Sequence, residues 1–130
     1  MTLFDNCTSA TKRGDLGKAR AAYELMKLGF TISRPLCDSA KYDLLADTGE
    51  RILKVQCKTS VFKKPSGNYE INLKVSGGNQ SRTTTQNRQD GDYDYLFALT
   101  GDDECYFIPQ SSLPRTCVAL DATKEEFRVV

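Results

Sequence analysis

The chain has 130 residues, 39% of them hydrophobic and 27% charged, with a formal net charge of +1. That balance suits one folded domain, 1–130, with a core of its own, and excludes a low-complexity or disordered chain. No apolar run is long enough for a membrane span and no basic-then-apolar leader opens the chain. Five scattered cysteines without a CxxC pair, and no histidine, argue against zinc and for a cytoplasmic protein with reduced thiols.

The net charge hides a split. Residues 1–89 carry 15 Lys and Arg against 8 Asp and Glu, a balance of +7, whereas residues 90–130 carry 3 against 9, a balance of −6. A basic first part of this kind predicts a face for a polyanion.

In chain order, residues 1–12 read as poorly structured. "GDLGKARAAYELMKLGF" predicts a helix with an apolar stripe at Leu16, Ala19, Tyr23 and Met26, ended by Gly29. "FTIS" is a short strand, and Pro35 opens a loop. Residues 42–47 and 52–58 form a hairpin around Thr48, Gly49, Glu50 and Arg51. Pairing Asp47 with Ile52 sets Asp43 opposite Gln56, and strand alternation puts Lys58 on the face of Gln56. The other face carries Tyr42, Leu44, Ala46, Leu53, Val55 and Cys57, an apolar surface for the helix. "YEINLKV" is a strand, and residues 76–92 are a long polar loop. "YDYLFALT" and "ECYFIP" form a second hairpin, turning at Gly101–Asp103, whose apolar residues suit either the core or a subunit interface. "TCVAL" is an edge strand, and "TKEEFRVV" is a helical turn or an extended end. One helix followed by many strands predicts a mixed α+β fold.

The polar residues on the first hairpin carry chemistry. Asp43 offers a carboxylate oxygen, Gln56 an amide oxygen and Cys57 a backbone carbonyl between them, the oxygen donors that Mg²⁺ takes. Lys58 would orient an attacking water or offset developing negative charge. A polar triplet on a hairpin also serves as ordinary wet surface, so the motif alone is weak.

A longer string of motifs adds to it. "GDLGKA", "LMKLGF", "RPLCDSAKYDLL", "KVQCKTS", "DYDYLFALT" and "ECYFIP" occur in that order over residues 14–109. The string resembles the PD-(D/E)XK nuclease superfamily and, within it, the group I intron-associated homing endonucleases. The resemblance implies an α/β (mixed α+β) restriction-endonuclease-like core, a central mixed sheet flanked by helices. It implies endonuclease cleavage of double-stranded DNA with Mg²⁺, or Mn²⁺ as the alternative, in the cytoplasm of a bacterial or phage-infected cell. Asp43, Gln56 and Lys58 take the catalytic positions, with Asp43, Gln56 and Cys57 as metal ligands; Tyr42 stands where the family has proline. The loop 76–92, with Arg82 and Arg88, would lie along the DNA, and Lys54, Lys63, Lys64 and Lys74 would follow its backbone.

One position departs from the family pattern. The first helix there usually supplies a glutamate to the metal site, in a "GEA" segment, and here that position is Lys18. Asp15, one turn earlier, is the only local acid that could replace it; Glu24 lies on another face of the helix. The expectation is therefore a nuclease impaired by Lys18, working as a homodimer or homotetramer so that two sites cut two strands. The alternatives are a Holliday junction resolvase-like nuclease and a nuclease-fold protein that binds DNA without cutting it.

Overall fold

The computed structural model describes residues 2–76 and 85–130. In chain order its elements are α1 (Ala10–Lys27), β1 (Thr31–Ser33), β2 (Leu44–Asp47), β3 (Ile52–Ser60), β4 (Tyr69–Asn72), β5 (Val75–Ser76), β6 (Thr85–Gln86), β7 (Tyr95–Thr100), β8 (Cys105–Pro109) and β9 (Cys117–Leu120). Two 3₁₀ segments, Gln110–Ser112 and Ala122–Phe127, complete the chain. The central sheet runs β1-β2-β3-β7-β8, with β3 and β7 parallel and every other pair antiparallel. It is the mixed sheet expected, covered by one α-helix among the described residues rather than by several.

The first hairpin has the expected register, Asp47 opposite Ile52 and Leu45 opposite Lys54. Its turn is built by short polar side chains. Asp47 Oδ1 accepts from the Gly49 N–H at 2.8 Å, and Gly49 takes φ 93°, a left-handed conformation that suits glycine.

Helix α1 starts earlier than the sequence suggested and faces differently. Ser9 Oγ accepts from the Lys12 N–H at 3.2 Å and caps the helix, whose first residue, Ala10, lies four residues before Gly14. Its buried residues are Gly17, Ala21, Glu24 and Leu25, while Tyr23 and Met26 of the predicted stripe are 56% and 55% exposed. The true core face is thus turned by about one residue, some 100°. Two physical facts account for it. Gly17 lets the helix backbone lie on β3, since a Cβ there would stand 2.7 Å from Thr59 Cγ2. Glu24 is buried because Arg20 Nε at 2.7 Å and Lys27 Nζ at 3.1 Å satisfy its carboxylate. Hydrophobicity alone sees neither.

The N-terminal segment is also more ordered than expected. Phe4 is buried in the core, and the Leu3 N–H donates to the Gly101 carbonyl at 2.9 Å.

Two cores lie on opposite faces of the sheet. On one, Ala21 and Leu25 of α1 pack with Leu44, Ala46, Leu53, Val55, Phe97, Leu99 and Cys105, with Cys57 at the margin. On the other, β4 and β9 pair and bring Tyr69, Ile71, Val118 and Leu120 onto Leu96, Ala98, Tyr106 and Ile108. Tyr42 joins this second core, not the helix-facing one assigned to it from strand alternation. The β7–β8 hairpin buries Leu96, Phe97, Ala98, Leu99, Cys105 and Ile108 completely, so these side chains form the chain's own core and are not an exposed interface. "YEINLKV" is divided: β4 ends at Asn72, and Val75–Ser76 pairs instead with Thr85–Gln86, within the stretch read as a long polar loop.

Candidate active site

The site forms where β2 begins and the middle of β3 lies beside it. The Asp43 N–H donates to the Val55 carbonyl at 2.8 Å, which fixes the residue at the mouth of β2. Its carboxylate is fixed as well, because Oδ2 accepts from the Cys57 N–H at 2.9 Å. With backbone and side chain both anchored, the orientation of Asp43 is set before any ligand arrives.

The other oxygen, Oδ1, faces Lys18. The Lys18 Nζ lies 3.8 Å from it, with the two side chains 43% and 22% exposed. Lys18 stands in the middle of α1 (Ala10–Lys27), so the contact is made by the long lysine stem reaching from the helix to the mouth of β2. Lys18 thus meets the aspartate as the motif alignment implied. Asp15 does not take its place: it lines a larger neighbouring groove and not the small cavity at Asp43.

Lys58 is half-buried on β3, and its Nζ donates to the Lys74 carbonyl at 2.7 Å. Burial lowers its pKa, opposed by the nearby negative charge of Asp43. Gln56 is half-buried two residues before it on the same face. The Cys57 thiol points to the other core, and burial first, then Asp43, push its pKa up. The backbone of Cys57, whose N–H bonds Asp43, is the part that touches the site.

Two cavities adjoin this cluster. A small one of about 130 Å³ is lined by Lys18, Arg34, Pro35, Cys37, Asp38, Ala40, Tyr42 and Asp43. A wider groove of about 760 Å³ has Ala19, Ala22, Met26, Ile32 and Leu44 as apolar lining and Asp15, Lys18, Ser33 and Arg34 as polar lining. Arg34, which lines both, was not singled out from the sequence. Its signal was present: it directly follows the β1 residues and precedes Pro35, a position biased to extended backbone that carries the strand on toward Asp43.

As a metal site the donor set fits Mg²⁺ in type but is short of charge. Asp43 and Gln56 supply hard oxygens, as does the Cys57 carbonyl. Only Asp43 is anionic, and the Lys18 ammonium lies beside it. No group of three or more His, Cys, Asp or Glu side chains gathers around a common point among the described residues.

The basic residues expected along DNA have different fates. Lys54 donates to the Gly91 carbonyl at 2.6 Å and lies over the Tyr42 ring. Lys63 pairs with Asp102 at 2.7 Å and Lys64 with Glu70 at 3.3 Å, both with exposed side chains. Lys74 is exposed, and its carbonyl anchors Lys58. Arg82 lies outside the described residues. Arg88 corrects the expectation outright. It is 3% exposed, its guanidinium donating to the Leu113 carbonyl at 3.0 Å and the Pro114 carbonyl at 3.1 Å. Asp90 pairs with it at 3.3 Å. A guanidinium so enclosed fastens the loop to the chain that follows β8 and has no face left for a phosphate.

Comparison with known proteins gives the family and the fold. A family model described as PD-(D/E)XK endonuclease matches residues 8–128. Among solved structures, that of a bacterial homing endonuclease, I-Ssp6803I, is similar with a TM-score of 0.75 at 24% sequence identity, covering 92% of this chain and 88% of that one. That likeness is one of fold. No curated protein matches the chain.

Proposed function

Since this chain belongs to the PD-(D/E)XK endonuclease family, we propose that it is a homing-type endonuclease acting on double-stranded DNA, with its metal site weakened by Lys18. The observation that carries the reading is the anchored carboxylate: Asp43 is held by the Cys57 N–H at 2.9 Å, with Gln56 and Lys58 on the adjoining strand. Nucleases of this family generally use divalent metals, and no helix among the described residues is long and apolar enough to cross a membrane.

In this proposal Asp43, Gln56 and the Cys57 carbonyl would hold a Mg²⁺ or Mn²⁺ ion, which would supply neutralising charge to the phosphoryl oxygens. Asp43 keeps its orientation through the Cys57 bond. Lys58 holds the attacking water or offsets charge on the phosphate. Its lowered pKa makes it a readier proton acceptor than an exposed lysine. Lys54, Lys63, Lys64 and Lys74 interact with the backbone phosphates. The chain acts as one domain in the cytoplasm and as a homodimer or homotetramer, two sites being needed for two strands. The Lys18–Asp43 contact at 3.8 Å favours a second reading, a nuclease-fold domain that binds DNA and no longer cuts it.

Cleavage of supercoiled, linear and four-way-junction DNA, with and without Mg²⁺, tests the proposal. Metal-dependent cutting of duplex DNA is expected, with Asp43→Ala and Lys58→Ala slower by about 100-fold or more at unchanged fold. Undiminished cutting by either variant removes its assignment. Cutting confined to junctions points to a resolvase, and binding without cutting to the inactive domain. A monomeric mass in light scattering, free and with DNA, contradicts the oligomer.

A further inference from the structure

The small cavity beside Asp43 is lined by two cations, Lys18 and Arg34, and two carboxylates, Asp38 and Asp43. Lys18 is in contact with Asp43, at 3.8 Å. Arg34 is exposed, and among the described residues it makes no ion pair and no side-chain hydrogen bond. Both cations also line the wider groove, so they stand where the two cavities adjoin. Lys63 and Lys64, two of the other surface cations, are neutralised locally by Asp102 and Glu70. Arg34 therefore differs from them in being an open guanidinium beside the anchored carboxylate.

The backbone explains why it stays there. β1 pairs with β2, with Ser33 opposite Leu45, so Arg34 follows on toward Leu44 and the Asp43 end of the pairing. Pro35 restricts the residue before it to extended conformations, which keeps Arg34 in line with the strand. A guanidinium presents a fork of donors matched to phosphate oxygens and carries a charge that no accessible pH removes.

We propose that Arg34 is a phosphate-binding residue of the DNA cleft, gripping a backbone phosphate beside the one brought to Asp43 and Lys58. The inference rests on the DNA reading above and adds a residue to it. Where the family's metal site is lined by acids, this cleft has lysine and arginine on its walls, and Arg34 provides an attachment to DNA that does not need the metal ion.

The test is binding of a short fluorescent duplex to the full chain in EDTA, titrated over a range of salt. Arg34→Ala should weaken binding about equally for all sequences and lower the slope of log affinity against log salt by about 1. Arg34→Lys, which keeps the charge, should keep the slope. Location is read separately. The Cys37 thiol lines the same cavity and the exposed Cys117 thiol lies on β9, so duplex should slow maleimide labelling of Cys37 and not of Cys117. That protection should weaken in Arg34→Ala. If the parent binds with a steep slope and Arg34→Ala matches it, or Cys37 is never protected, the assignment of Arg34 is wrong while DNA binding stands. If the parent binds no duplex at low salt, the DNA reading fails and this inference with it.

Discussion

In the proposed nuclease, Lys18 is the residue on which activity would turn. Its ammonium neutralises the only anionic oxygen donor of the cluster, 3.8 Å from Asp43 Oδ1. Replacing it by glutamate removes a repelling charge and adds an attracting one. A unit charge several ångströms from a divalent ion is worth several kcal/mol at an effective dielectric of about 20, but a side chain this exposed is screened. Discounted for that, Lys18→Glu should tighten Mg²⁺ binding by roughly tenfold or more, about 1.4 kcal/mol. Isothermal titration with Mg²⁺ in the absence of DNA measures this directly, and duplex cleavage should rise in parallel. Equal affinity in parent and variant would mean that the lysine stem swings clear of the metal and that Asp43 is not hampered by it.

At the scale of elements, α1 is held on the sheet by a small residue and a buried charge. Gly17→Ala puts a Cβ 2.7 Å from Thr59 Cγ2, and the helix backbone must move away from β3. Overpacking of this kind costs about 1–3 kcal/mol, less the gain in helix propensity from removing a glycine. Urea denaturation should show that loss, and Thr59→Ser, by deleting the offending methyl, should restore most of it. Glu24 predicts a pH dependence. Burial raises its pKa, yet the bonds from Arg20 and Lys27 outweigh burial and hold it below the ordinary value. Its folded pKa is depressed, so its contribution to stability is present above the unfolded value, about 4.3, and is lost as pH falls through the folded one. Glu24→Gln should therefore destabilise the protein at neutral pH by roughly 1–3 kcal/mol. The gap to the parent should narrow as pH drops below about 4 in acid denaturation.

For the whole molecule, the charge split along the chain is partly closed by folding. Acids of the last third meet bases of the first part: Asp92 meets Lys41 at 3.8 Å, Asp102 meets Lys63 at 2.7 Å, and Asp103 meets Arg20. A basic face inferred from sequence order is thus smaller in three dimensions than the balance of +7 suggests. Arg88 and Lys63/Lys64 should separate stability from DNA binding. Arg88→Ala strands the Leu113 and Pro114 carbonyls that its guanidinium bonds and should lower stability by roughly 1–3 kcal/mol in thermal or urea unfolding. The double variant Lys63→Ala/Lys64→Ala breaks only exposed pairs and should change stability by less than about 1 kcal/mol while lowering the salt slope of DNA binding. An Arg88→Ala protein as stable as the parent would show that the enclosed guanidinium is not needed to fasten its loop.

Order and alternation along the chain determined much of this protein. The hairpin register that sets Asp43 near Gln56, the second hairpin at residues 95–109, the strand at 117–120 and the run of family motifs are local properties. They depend on turn chemistry and on strand periodicity, and both are written in neighbouring residues. What only the tertiary structure decided depends on partners distant in sequence. The core face of α1 is set by how closely Gly17 approaches Thr59 and by Arg20 and Lys27 satisfying Glu24. Phe4 is ordered by a bond between Leu3 and Gly101, and Arg88 is buried by carbonyls 25 and 26 residues away. The pairing of Lys18 with Asp43, and the cavity that Arg34 shares with them, arise only when α1, β1 and the mouth of β2 meet. Charge and burial are properties of those meetings, because a polar group's free energy depends on which partner replaces its water, and that partner is chosen by the fold.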